Sequence, residues 1–85
     1  MAIGYGQNIV DGQSYNILGI SAQTQGRWTY YNKNSGSEGL PPDETWGFGL
    51  QLGFGGIYIV FYISGHSGKI FHAVYNKSWS AWYEH

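Results

Sequence analysis

The chain has no cysteine, only two prolines in 85 residues, and very little charge. Each scarcity excludes something. Without cysteine there is no disulfide framework and no thiolate metal site, so the sequence does not indicate a redox compartment. Four Lys and Arg against five Asp and Glu leave a formal net charge of −1. The four basic residues are scattered, and a nucleic-acid partner is excluded because phosphate binding needs a basic footprint. The longest apolar run, Ile57 to Ile63, falls far short of the roughly 20 residues of a membrane-spanning helix, so no membrane insertion is expected. The segment from Met1 to Asp11 has no basic start and no long apolar stretch, and it does not read as a signal peptide. Low net charge together with many aromatics argues against disorder.

What the chain does have is glycine and rings: 14 Gly, four Trp, eight Tyr and four Phe. Each ring can bury about 150–250 Å², so aromatics must supply much of any core. A core this small is marginal alone, which makes assembly with other copies an expectation from the outset.

The pattern along the chain is β. Residues 1–7 read as a linker and residues 8–85 as one small domain. Asp11-Gly12 is a turn signal, and Tyr15 to Ile20 is expected as a strand. Ser21 to Gly26 has room for a helical turn at most. Arg27 to Tyr31 is a second β-favouring run. Asn32 to Gly39 is a long polar loop with no apparent means of packing on a core, stiffened at its end by Pro41-Pro42. Phe48, Leu50 and Leu52 then alternate with Gly47, Gly49 and Gln51, giving one apolar and one nearly bare strand face. Gly53 to Gly56 reads as a turn. Ile57 to Ile63 is apolar on both faces, so this strand is either central or covered by a neighbouring subunit. Ser64 to Gly68 is a hairpin connection, Lys69 to Tyr75 the return strand, Asn76-Lys77-Ser78 a turn, and Trp79 to Tyr83 a last strand. The expected fold is a small antiparallel meander with a long polar loop.

Little here points to catalysis. Acid–base chemistry needs two carboxyls, or a carboxyl and a histidine, held on separate elements. Asp43 and Glu44 are adjacent in one loop, and Asp11, Glu38 and Glu84 are dispersed. Turn chemistry and solubility account for them, and a short acidic pair is a weak cation signal. His66, His72 and His85 show no metal-ligand spacing; His72 alternates with apolar neighbours in a strand. No catalytic residue, metal or cofactor is assigned. The aromatics carry the positive reading, since sugars stack C–H-rich faces on Trp and Tyr while amide side chains bind their hydroxyls. Trp28, Tyr30, Tyr31 and Trp46 flank the polar loop, with Asn32, Asn34 and Gln51 as hydrogen-bonding partners. The competing reading, which carries the greater weight, is that these rings are core or interface, because little else in the chain can form one.

The run from Ser67 to Trp82, ending in Tyr75-Asn76-Lys77-Ser78-Trp79-Ser80-Ala81-Trp82, resembles the close of phage tail-fibre modules of the pyocin-knob type. Asn8 to Tyr15, Gly39 to Pro42 and Trp46-Gly47 resemble their upstream parts, so the likeness spans residues 8–85. The resemblance implies a homotrimeric module of a virion tail fibre or baseplate, acting extracellularly on host cell-surface polysaccharide or teichoic acid. It assigns Trp79 and Trp82 to structure, and Gly47, Gly65 and Gly68 join them as the skeleton. The alternatives are a trimerisation or folding module without a ligand, a carbohydrate-binding accessory domain of a cell-wall enzyme, and a small hydrolase that the lack of paired acids disfavours.

Overall fold

The computed structural model describes residues 8–85; the linker expected over 1–7 lies outside the described residues. Six strands form one sheet: β1 (Val10–Asp11), β2 (Trp28–Asn32), β3 (Trp46–Phe54), β4 (Ile57–Ser64), β5 (Ile70–Asn76) and β6 (Tyr83–Glu84). They lie side by side in sequence order. β1 runs parallel to β2, and every later pair is antiparallel. The fold is all-β, a meander with one short parallel edge. β3 and β4, the longest strands, are central, where a strand apolar on both faces belongs.

Alternation along each strand sorts the side chains onto two faces. The inner face carries Thr29 and Tyr31 from β2, Gly47, Gly49 and Gln51 from β3, Val60, Tyr62 and Ser64 from β4, and Phe71 and Ala73 from β5, all buried. A layer of irregular chain covers it: Tyr15, Ile17, Leu18, Leu40, Trp79 and Trp82 pack on the core rings. The glycines make this layer possible. A Cβ on Gly49 would lie 2.8 Å from Ile17 Cδ1 and 2.9 Å from Tyr31 Cε2, so only a bare backbone lets Ile17 descend to the sheet. The alternation in β3 is therefore inverted relative to an ordinary half-buried strand. Its glycine face is the covered one, and Phe48, Leu50 and Leu52 point the other way, partly or well exposed to solvent.

Polar side chains clamp the irregular layer to the sheet. Gln51 Nε2 donates to the carbonyls of Ile17 at 2.7 Å and Gly19 at 2.9 Å, and its Oε1 accepts from Thr24 Oγ1 at 2.6 Å. Ser37 Oγ donates to the Gly12 carbonyl at 2.7 Å and accepts from Asn32 N at 2.9 Å. The polar loop thus packs, contrary to expectation. It winds a 3₁₀ turn over Lys33–Ser35 and is tied to the segment around Tyr15 by Glu38 N to Tyr15 O and Ile17 N to Glu38 O.

One expected strand is absent and another begins late. Tyr15 to Ile20 is a chain of turns because Asn16 turns its side chain back: Oδ1 accepts from Leu18 N at 2.8 Å, and its carbonyl accepts from Gly19 N. Trp79 to Tyr83 is not a strand at its start. Trp79 makes an isolated bridge to Tyr75, and Ser80 satisfies both polar groups of Val74. The ladder resumes only at Tyr83–Glu84. The helical turn expected between Ser21 and Gly26 is present as Gln25 N donating to Ser21 O. Among the described residues no helix is long and apolar enough to cross a membrane.

Candidate functional site

The outer face of the sheet is the first candidate surface. Trp28, Tyr30, Trp46, Phe48, Leu50, Leu52, Ile57, Ile59, Phe61, Ile63, Ile70 and Val74 share it, and among the described residues only the entry segment Ile9 to Asp11 lies over part of it, at Tyr30 and Phe48. Leu52, Ile57, Ile70 and Trp28 are well exposed, and Phe54 at the β3–β4 hairpin is 93 % exposed. Contiguous apolar surface on this scale is unusual for a chain that stays alone in water. At the β2 edge, Tyr30 packs on Phe48 with ring centroids 5.6 Å apart and on Trp46 at 6.2 Å. Asn32 Nδ2 donates to the Tyr30 hydroxyl at 3.0 Å, while Asn32 Oδ1 accepts from Asn34 N at 2.9 Å. Ile9, Val10 and Asp11 close a shallow cleft of about 350 Å³ over Tyr30 and Phe48.

The residues expected to bind a ligand are therefore divided by the sheet. Trp28, Tyr30, Asn32 and Trp46 share the outer face, Asn34 lies in the 3₁₀ turn beyond β2, and Tyr31 and Gln51 lie on the inner face. Both are fully or almost fully buried, and all three clamp bonds of the Gln51 side chain go to the irregular layer, so neither is available to a surface ligand. Consecutive strand residues point to opposite faces, so the neighbours Tyr30 and Tyr31 already carried the signal for this split. Among the described residues, the Tyr31 hydroxyl is the only buried side-chain polar atom without a hydrogen-bond partner. Burial pushes its pKa up to about 12, outweighing the nearby Thr29 hydroxyl, which acts in the opposite direction but donates its own hydrogen bond to the Arg27 carbonyl.

The second candidate lies on the inner side, at the end of the sheet where the polar loop, the β4–β5 hairpin and the final segment converge. Pro42, Asp43, Glu44, His66, Ser67, Lys69, Phe71, Trp82 and Glu84 line a cleft of about 390 Å³. A second cleft of about 320 Å³ shares the Pro42-Asp43-Glu44 wall and extends along Lys33, Ser37, Glu38 and Gly39. Glu44 is 6 % exposed. Its Oε1 accepts from the Tyr62 hydroxyl at 3.0 Å. Burial, and then this bond to the carboxylate, hold the Tyr62 hydroxyl protonated far above the usual tyrosine range. Trp82 is held by Nε1 donating to the Gly39 carbonyl at 3.0 Å and by edge contact with Tyr62, which makes its indole a fixed wall. Lys69 and Glu84 form an ion pair at 3.7 Å. Asp43 sits at φ 67°, a backbone region costly for most side chains and tolerated by Asp and Asn. Asp43-Glu44 stood out in the sequence only as a weak cation signal, and the other groups not as a site at all, because they lie on three separate stretches that only the meander brings together.

The residues expected to be structural all lie at close approaches or turns. A Cβ on Gly47 would run into the Ile63 carbonyl and the Tyr62 ring, and one on Gly65 into the Trp46 indole; Gly68 sits at φ 73° in the hairpin. Trp79 packs on Tyr75 with centroids 5.3 Å apart. His72 stacks between Tyr83 and His85 on the outer face, its Nδ1 meeting His85 Nε2. Among the described residues no three His, Cys, Asp or Glu side chains converge as a metal site. No family model matches the chain, and neither a curated protein nor a solved structure does.

Proposed function

We propose that this chain is a receptor-binding module of a phage or prophage tail fibre or baseplate protein, a homotrimer that recognises a host cell-surface glycan without covalent chemistry. The observation that carries this reading is the outer face of the sheet, most of which the described residues leave uncovered. A row of Leu, Ile, Phe and Trp side chains left in water is a standing cost that a second and third copy of the chain remove. Three as the number of copies comes from the resemblance of the closing Trp79-Ser80-Ala81-Trp82 segment to pyocin-knob modules. Support for glycan recognition comes from the opposite side of the sheet, where the paired clefts combine a fixed indole with carboxylates. Assembly through the outer face leaves those clefts open, and three copies present them together, raising a weak single-site affinity without new contacts.

Two measurements on the same preparation test the reading. Sedimentation should give a mass near three times the 9.5 kDa of one chain, stable on dilution into the micromolar range. A glycan array should show binding that drops when the assembly is dissociated. A monomer across the whole concentration range overturns the assembly. A stable trimer that binds no glycan favours a purely structural fibre module.

A further inference from the structure

The carboxylates of this chain are not spread over its surface. Of its five acidic residues, four line the two adjoining clefts: Glu38, Asp43, Glu44 and Glu84. Lys69 and Lys33 are the only cations there, and Lys69 already faces Glu84 at 3.7 Å. Arg27 and Lys77 lie at the other end of the sheet, immediately before β2 and after β5. A chain whose net charge is only −1 thus has a distinctly acidic end.

Glu44 is the unusual member of this set. A carboxylate this deeply buried normally has a cationic partner or several hydrogen bonds. Glu44 has one hydrogen bond, from Tyr62 to Oε1; its other oxygen receives none from the described residues and opens to solvent through the clefts, and it forms no ion pair with them. That side chain borders both clefts, beside the Trp82 and Phe71 rings. An aromatic wall next to a carboxylate with an open acceptor is the combination that recognises an ammonium group: ring and carboxylate both attract the cation, and its N–H groups bond the open oxygen. The cleft volume is that of a sugar-sized ligand.

We infer that the paired clefts bind an ammonium-bearing sugar unit, with the ammonium against Glu44 and Asp43 and the ring against Trp82. The inference rests on the glycan reading above and narrows it from cell-surface glycans at large to amino-bearing ones. It also assigns recognition to the inner side of the sheet, away from the Trp28, Tyr30 and Trp46 cluster.

The probe is a glucosamine trisaccharide, with its fully N-acetylated counterpart as the control that differs in charge, both titrated calorimetrically into the intact chain. The free amine should bind at least about tenfold tighter than the acetylated sugar, and its affinity should fall with added salt. Asp43→Asn keeps a residue suited to φ 67° and removes the charge; Glu44→Gln keeps an acceptor for Tyr62. Each should weaken binding of the amino sugar about fivefold or more while leaving the acetylated control unchanged. If Glu44→Gln loosens the fold, Asp43→Asn alone decides. Equal affinity for the two sugars, or affinity indifferent to the carboxylate variants, overturns the ammonium assignment and leaves the glycan reading standing. Ethylammonium that binds as tightly as the amino sugar, and is lost in both variants, supports the ammonium site but overturns the glycan reading.

Discussion

Tyr31 and Tyr62 are rings of one core, yet their hydroxyls are treated oppositely. Tyr62 donates to Glu44, whereas Tyr31 is buried with its hydroxyl unpaired. Removing a buried polar group that has no partner relieves its desolvation cost, so Tyr31→Phe should stabilise the fold by about 1 kcal/mol in urea unfolding at pH 7. The same two residues set the alkaline limit. An unfolded tyrosine loses its proton near 10.0; folded Tyr31 keeps it to about 12, and folded Tyr62 keeps it further still. Above pH 10 the unfolded chain therefore binds fewer protons than the folded one, and stability falls as pH rises. The loss should be about 1.4 kcal/mol per pH unit for each of the two tyrosines between pH 10 and 12. Tyr31→Phe should halve that slope. An unchanged slope in the variant would show that its hydroxyl is solvated.

At the level of elements, the strands were legible where alternation was strict and illegible where a side chain competed with the backbone. β3 and β5 follow from period-two patterning, β4 from its continuous apolar run, and all three from the turns at their ends, although the turn expected over Gly53 to Gly56 narrows to Gly55-Gly56. Tyr15 to Ile20 has the same apolar content as a strand, but Asn16 captures the amide of Leu18 and winds the segment into turns. The polar loop is held by single contacts such as Ser37 to Gly12, which no composition rule anticipates. The glycines of β3 were legible as a bare face, but what fills that face was not, because Ile17 arrives from a segment more than 30 residues earlier in the chain. Gly49→Ala tests that contact. Its Cβ would sit 2.8 Å from Ile17 and 2.9 Å from Tyr31, so it should cost about 1–3 kcal/mol, and Gly49→Ala combined with Ile17→Val should recover part of the loss. Additive losses in the double variant would place the strain elsewhere.

Across the whole molecule, the candidate surfaces fall on opposite sides of one sheet. The ligand set expected from composition mixed the two, since residue type identifies aromatics but not which side of a strand they occupy or what covers that side. The outer face predicts a clean separation of properties. Leu52→Lys with Ile59→Lys places two charges on directly paired positions of that face, far from the inner core. These substitutions should dissociate the assembly to a monomer in sedimentation while leaving the far-ultraviolet circular dichroism of the sheet in place. An assembly that survives both charges would show that the copies meet elsewhere.

The segregation of charge along the sheet has a consequence before any contact is made. With Glu38, Asp43, Glu44 and Glu84 only partly offset by Lys33 and Lys69 at one end, and Arg27 and Lys77 at the other, the chain is an electric dipole directed along its strands. A dipole carries torque in a field. Near a surface displaying ammonium groups, the molecule turns its clefts forward during approach, so fewer encounters are wasted on the wrong orientation. The effect acts on the rate of arrival rather than on the strength of holding, and it vanishes once salt shortens the reach of the field to about 8 Å or less.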